Sequence, residues 1–217
     1  MTPLSALILL LCSAGALCAL AQDSNNFIDA VLSNRLPTEV RNRNLDPAQV
    51  ANFEVKVKKS FVTNRDLKAD FTSGIVYGLS QVRRRGDCGA PAWEATNTTF
   101  GCHVSLDGVR VSYKVKAKGH KVIGSTSYSV DMFVENTNFF VQVTSARSVP
   151  ATLKAISLNS LELKISESTK LGLNKGRSKK YHEAIRTHVQ DQLVALLYGS
   201  FRDALNNALA TVTAPFP

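Results

Sequence analysis

VSLDGVRVSYKVKAKGHKVIGSTSYSVDMFVENTNFFVQV, residues 104–143, is the stretch on which the fold turns. Apolar and polar residues alternate through most of it, the period of a strand with one buried face. Three short turn signals divide the run. Asp107-Gly108 predicts a two-residue hairpin that pairs Leu106 with Val109 and Val104 with Val111. Gly119-His120 predicts a second, pairing Ala117 with Val122 and Val111 with Tyr128. Asn136-Thr137 predicts a third, pairing Val134 with Phe139 and Met132 with Val141. Residues paired across a ladder share a face. The pairings therefore carry one apolar set forward through Val109, Val111, Tyr113, Val115, Tyr128, Val130, Met132, Val134, Phe139, Val141 and Val143. The other face receives Arg110, Lys114, Lys116, Lys118 and Asp131, together with Ile123, Phe133 and Phe140. A wrong register would scatter the apolar set over both faces.

Downstream, Leu153 to Ile165 reads as one more strand. Its apolar parity slips from Ile156 and Leu158 to Leu161, Leu163 and Ile165, which predicts a bulge near Asn159-Ser160. A polar, basic connector, 166–180, leads to a long helix from about Lys179 to Val212. There Ile185, Val189, Leu193, Leu196, Leu197, Phe201, Ala204, Leu205, Ala208, Leu209 and Val212 recur mostly at three- and four-residue steps, a wide apolar stripe about 50 Å long. Upstream, Phe53, Val55 and Val57 alternate with Glu54, Lys56 and Lys58. Asp66 to Arg85 is strand-like, with Phe71, Ile75, Tyr77 and Leu79 on one parity and bends or bulges expected at Gly74 and Gly78. Residues 25–41 form a short amphipathic helix with Phe27, Ile28, Val31 and Leu32 on one face. Asp23 or Ser24 would cap it, and Pro37 would kink or end it. An antiparallel sheet with a helix at each end of the chain is an α+β domain.

The first 21 residues carry no charge, hold an apolar run from Leu4 to Leu11 and end in Ala19-Leu20-Ala21. That is the pattern of a secretory signal peptide over 1–21, leaving 22–217 as a single domain. The net charge of +9 then belongs wholly to the mature chain. It points to an anionic partner such as phospholipid, bacterial lipid, glycosaminoglycan or a cell surface. Secretion and the lack of a nucleic-acid-binding motif argue against nucleic acid. Past the leader only Cys88 and Cys102 remain, and an oxidising compartment makes them one disulfide. Closing that loop contributes about 3 kcal/mol on the chain-entropy argument. Asn97-Thr98-Thr99, inside the loop, is an N-glycosylation acceptor.

Catalytic machinery is missing. His182 and His188 lie roughly 120° apart on the last helix, and His182-Glu183 lacks the second His of a zinc-protease helix. No nucleophile elbow, phosphate loop or dinucleotide fingerprint occurs, so the sequence reads as a non-enzyme that needs no metal and no cofactor. Arg85-Gly86-Asp87, just before Cys88, can be an integrin-binding tripeptide or a strand ending in a turn. A protein-interaction effector acting through it, or through the basic surface, is the alternative to ligand binding.

Gly78-Leu79-Ser80-Gln81-Val82-Arg83-Arg84-Arg85-Gly86-Asp87 resembles the Gly-Leu-x-Gln-x-x-Arg-x-Gly-Asp segment of mite group 7 allergens. Asp46-Pro47 with Val50, and the ending through His188-Val189-Gln190-Asp191 to Ala214-Pro215, resemble the corresponding steps of that family. The resemblance implies the half-barrel fold of the tubular lipid-binding superfamily, which includes bactericidal/permeability-increasing protein and insect juvenile-hormone-binding proteins. It also implies an apolar or amphipathic ligand held between a curved sheet and a long C-terminal helix. Tyr113, Tyr128, Met132, Phe139, Val189, Leu193, Leu196, Leu197 and Phe201 are the expected lining. Arg83, Arg84, Lys175, Arg177, Lys179 and Lys180 are the expected rim for an anionic headgroup.

Overall fold

The computed structural model describes residues 21–59, 66–119, 124–147 and 149–215. Apart from Ala21, the expected leader lies outside the described residues, as does most of the turn at Gly119-His120. Among the described residues the architecture is a large curved antiparallel sheet of nine strands wrapped round a long C-terminal helix, with a shorter helix before it.

Helix α1 covers residues 21–42, and its middle turn, Val31–Arg35, is π-helical. There the Leu36 N–H reaches back five residues to the Val31 carbonyl. Pro37 follows at once. Its ring crowds the preceding turn, and the wider turn makes room, so the helix passes the proline instead of ending at it. The expected caps Asp23 and Ser24 lie inside the helix, and Ser24 is fully buried, because the helix already runs at Ala21.

The strands are β1 (Ala48–Val50), β2 (Phe53–Val57), β3 (Leu67–Tyr77), β4 (Arg83–Arg84), β5 (Ala92–Glu94), β6 (Asn97–Ser105), β7 (Arg110–Lys118), β8 (Ser125–Ala146) and β9 (Thr152–Glu167). The long strand β8 organises them. β9 pairs along one side of it from Val130 to Thr144, so β6 and β7, which both pair with it, must lie end to end along the other side. β3 continues the sheet beyond β7, and β1 and β2 lie end to end on β3.

This arrangement corrects two expected hairpins. Asp107-Gly108 does not reverse the chain, and Val104 pairs with Phe139 rather than Val111. Val109 N–H donates to Leu106 O at 3.0 Å, Gly108 N–H to Val134 O at 3.1 Å, and Val134 N–H to Val109 O at 2.8 Å. The chain jogs against β8 and carries on in the same direction. Asn136-Thr137 does not reverse the chain either: β8 runs straight through it, with Asn136 at φ 50°. The two turn-like dipeptides face each other. Asp107 accepts the Thr137 N–H at 3.2 Å and its hydroxyl at 3.0 Å. Gly at positive φ, here φ 91° at Gly108, suits a bulge as well as a hairpin, so local chemistry cannot separate them.

β7 and β8 do form a hairpin, but Val111 pairs with Met132 and Ala117 with Thr126, four residues from the expected register. Four is even, so the faces survive. Val109, Val111, Tyr113, Val115, Tyr128, Val130, Met132, Val134, Phe139, Val141 and Val143 are all buried. The β9 bulge falls where expected, with Asn138 opposite Ser160 but Phe139 opposite Leu158. In β3 a bulge between Thr72 and Ile75 shifts the parity, so Gly74 and Val76 face inward and Ile75 and Tyr77 do not. The Tyr113 ring lies over Gly74, where any Cβ would stand 2.3 Å from it.

Helix α2 runs through Lys175–Leu196, a π turn at Leu197–Phe201, and Arg202–Leu209. The Asn174 side chain caps it, accepting the Arg177 N–H at 3.0 Å. Its buried line is Arg177, Tyr181, Ile185, Val189, Leu193, Leu197, Phe201, Leu205 and Leu209, all four residues apart. Each four-residue step overshoots a helical turn by about 40°, so the line winds round the helix. A flat sheet would lose it; a curved, twisted one follows it. Residues 177 and 181 continue the stripe two steps before its expected start at Ile185, and the helix begins four residues before the expected Lys179.

Candidate ligand-binding site

The Gly78–Asp87 segment that carries the family resemblance supplies a set of anchors. The Asp46 carboxylate accepts the N–H groups of Gly78 and Ser80, both at 2.9 Å, and the Ser80 hydroxyl. It thereby caps the 3₁₀ turn Leu79–Gln81 from 32 residues upstream. Gly78 sits at φ 92°, which excludes most side chains. Arg84 grips Asp29 of α1 with two bonds, at 3.0 and 2.8 Å. Asn25 donates to Asp87 at 2.9 Å and accepts the Cys88 N–H at 2.8 Å. Cys88 and Cys102 are joined by a disulfide. Together these contacts fasten α1 to the sheet.

The integrin-type tripeptide is held within this set. Arg85 donates to the Thr137 carbonyl at 2.8 Å, while Arg84 donates to the Gly86 carbonyl. The Asp87 side chain is 84% exposed but bonded to Asn25. Asn97 opens strand β6 after a tight turn rather than lying in a free loop, and Thr98 behind it is buried.

The structure gathers the nine expected lining residues between α2 and the concave sheet face. Eight are buried, and Leu196 is partly exposed. Phe139 and Phe201 pack ring to ring at 6.4 Å. Polar fasteners, unseen in the sequence, cross this interior. The Tyr113 hydroxyl donates at 3.0 Å to either Ala51 O or Gln192 Oε1. Tyr128 and Tyr181 share a buried hydroxyl–hydroxyl bond. Hollows of about 560 and 520 Å³ open on the surface, the first beside Phe133 and Glu135, the second between α1 and Arg83–Arg84; neither is lined by the nine residues.

Along the β9 edge, α2 satisfies strand backbone with side chains. Gln190 donates to Leu161 O at 2.7 Å and Arg186 to Leu163 O at 3.4 Å. Tyr198 accepts the Leu158 N–H at 3.0 Å and Asn206 the Leu153 N–H at 2.9 Å. This covers an edge that would otherwise invite another strand. The clue in the sequence is faint: polar residues at 186, 190, 198 and 206 flank the apolar line on one side.

The expected rim does not form one patch. Lys175, Lys179 and Lys180 are exposed at the start of α2, near Tyr128. Arg84 pairs with Val104, which pairs with Phe139, eleven residues and roughly 36 Å along β8 from Tyr128. Arg177 is buried, because it lies on the inward line of the helix.

Burial pushes the Tyr113 and Tyr128 phenols up to about 12, against a smaller opposing pull from their bonds to Gln192 and Tyr181. Burial, and then the Tyr128 bond, push Tyr181 higher still. A raised phenol keeps its neutral form in the fold. The stability it contributes is whole below the unfolded value of about 10 and is lost as pH rises toward 12. Tyrosinate absorbance followed with thermal melts should show Tyr113, Tyr128 and Tyr181 ionising only as the protein unfolds. Titration of these three without loss of structure would refute the buried assignment.

The family model described as Group 7 allergen matches residues 23–175. Salivary anticoagulant protein P23 of Ixodes scapularis is 27% identical over 222 residues, which cover 100% of this chain and 99% of that protein. Among solved structures, lipopolysaccharide binding protein shares 12% identity at TM-score 0.45, over 88% of this chain and 37% of that one. Epiphyas postvittana Takeout 1 shares 12% identity at TM-score 0.38, over 84% and 88%.

Proposed function

The chain belongs to the group 7 allergen family, and from that premise we propose that it is a secreted, non-enzymatic carrier of a lipid or other amphipathic ligand. The observation that carries this reading is a long helix, kinked at Gly199, lying on a continuous apolar sheet face and fastened along β9 by side-chain bonds. Such bonds are worth only about 0.5–1.5 kcal/mol each, and water can replace them. Lifting α2 would expose two apolar surfaces between which an acyl tail fits. Lys175, Lys179 and Lys180, at the end where Tyr128 meets Tyr181, would meet an anionic headgroup. Secretion and glycosylation at Asn97 belong to the same proposal. No helix among the described residues is long and apolar enough to cross a membrane.

Native mass spectrometry of gently purified protein should show bound lipid that organic extraction removes, and a fluorescent fatty acid should then compete for the site. Protein that carries no lipid and leaves the probe undisturbed would sink the reading. Affinity for an anionic lipid should fall as salt rises and then level off, since screening weakens the rim but not tail burial. A neutral analogue with the same tail should show little salt dependence.

The full-length similarity to a protein described as a salivary anticoagulant supports a second reading, an effector acting on clotting. Its test is thrombin generation in plasma with the intact protein, lipid-loaded and lipid-stripped. Inhibition that ignores loading would separate this activity from the carrier role.

A further inference from the structure

The convex side of the sheet, turned away from α2, carries a second pattern. Lys114, Lys116 and Lys118 form one exposed column on β7. Their partners on β8 are Ser129, Ser127 and Ser125. Among the described residues no acid forms an ion pair with these three lysines. On the β3 side their partners are Thr72, Asp70 and Lys68. Lys68 is already bound to Glu54 at 3.0 Å and Asp70 at 3.8 Å, so the nearby acids are engaged elsewhere. Lys118 also faces Lys68 directly across the ladder, a like-charge pairing that costs stability.

We propose that this lysine column and its adjoining serine column form a binding track for a linear sulfated polysaccharide. The lysines recur about every 6.7 Å along the strand, so an extended polyanion lying along β7 meets all three. The serines add short donors toward sulfate and sugar oxygens without introducing negative charge. A membrane is the poorer fit, because the track presents no apolar side chain for insertion. Single-stranded nucleic acid would need aromatic platforms, which the track lacks.

The test uses the full mature chain with heparin oligosaccharides, measured calorimetrically across a salt series. The K114S/K116S/K118S variant should bind at least about tenfold more weakly at physiological salt and show a log–log salt slope shallower by about two to three. The matching arginine triple should retain binding. The K175S/K179S/K180S variant removes the same charge from the α2 end and should lose far less. Unsulfated hyaluronan should not bind. Equal losses in the two serine triples would reduce the effect to net charge and overturn the track, as would heparin binding unchanged in K114S/K116S/K118S. Lysine-dependent binding to phosphatidylserine vesicles but not to heparin would also overturn it. Fatty-acid displacement should be normal in the β7 triple, because α2 lies on the other side of the sheet, so this test and that of the carrier role fail separately.

Discussion

Phe201→Ala should lower stability by about 3–5 kcal/mol and at the same time strengthen binding of a small apolar ligand. Phe201 is 1% exposed, sits at the end of the π turn of α2, and packs on Phe139 of β8. Truncation leaves a cavity between helix and sheet, and the surrounding line of Leu193, Leu197 and Leu205 is already buried and packed. On the proposed binding mode a ligand of the native chain would first have to separate α2 from the sheet, and that opening cost would lower its apparent affinity. In the variant part of the space is present from the start. At one hundred times its dissociation constant a ligand restores about 2.7 kcal/mol. Chemical denaturation with and without a medium-chain fatty acid measures both effects. A destabilised variant that no apolar ligand rescues would place the binding site away from the α2–sheet interface.

Asp46→Ala should cost about 2–3 kcal/mol, which for a domain of this size is a fall of roughly 6–10 °C in melting temperature. One carboxylate satisfies two backbone N–H groups and a hydroxyl, all on the turn that begins the Gly78–Asp87 segment. Removing it leaves those donors without their acceptor where the chain cannot readily rearrange, since Gly78 is held at positive φ against Gly108 and Val109. Asp46→Asn keeps one accepting oxygen and should cost about half as much. Hydrogen exchange should quicken first at residues 78–81. Unchanged exchange there with a full loss of stability would mean that Asp46 acts on something other than this cap.

The candidate site was half legible in the sequence. Alternation placed Tyr113, Tyr128, Met132 and Phe139 on the inner face, and helical spacing placed Val189, Leu193, Leu197 and Phe201 opposite them. Both periods are properties of a single strand or helix, readable without knowing its partners. The rim was not legible. Arg83–Arg84 and Lys175–Lys180 are both basic clusters at the ends of apolar elements, but only the register of β4, β6 and β8 sets their separation. Arg177 reads as a rim residue because it flanks the end of an apolar element, whereas the four-residue line from Tyr181 turns it inward.

By itself the sequence determined the class of fold, the inward faces of β7 and β8, the disulfide and the long C-terminal helix. Each follows from local periodicity or from a count of two remaining cysteines. Tertiary structure alone decided whether Asp107-Gly108 and Asn136-Thr137 reverse the chain or kink it. The same dihedrals serve both, and the choice depends on strand pairing: β8 runs for 22 residues through Asn136-Thr137 because β6 and β7 lie end to end along one side of it and β9 along the other. It alone decided that Asp46 caps a turn 32 residues away and that α2 side chains close the β9 edge. Such bonds join polar groups whose sequence positions carry no period, and only the folded chain brings their donors and acceptors together.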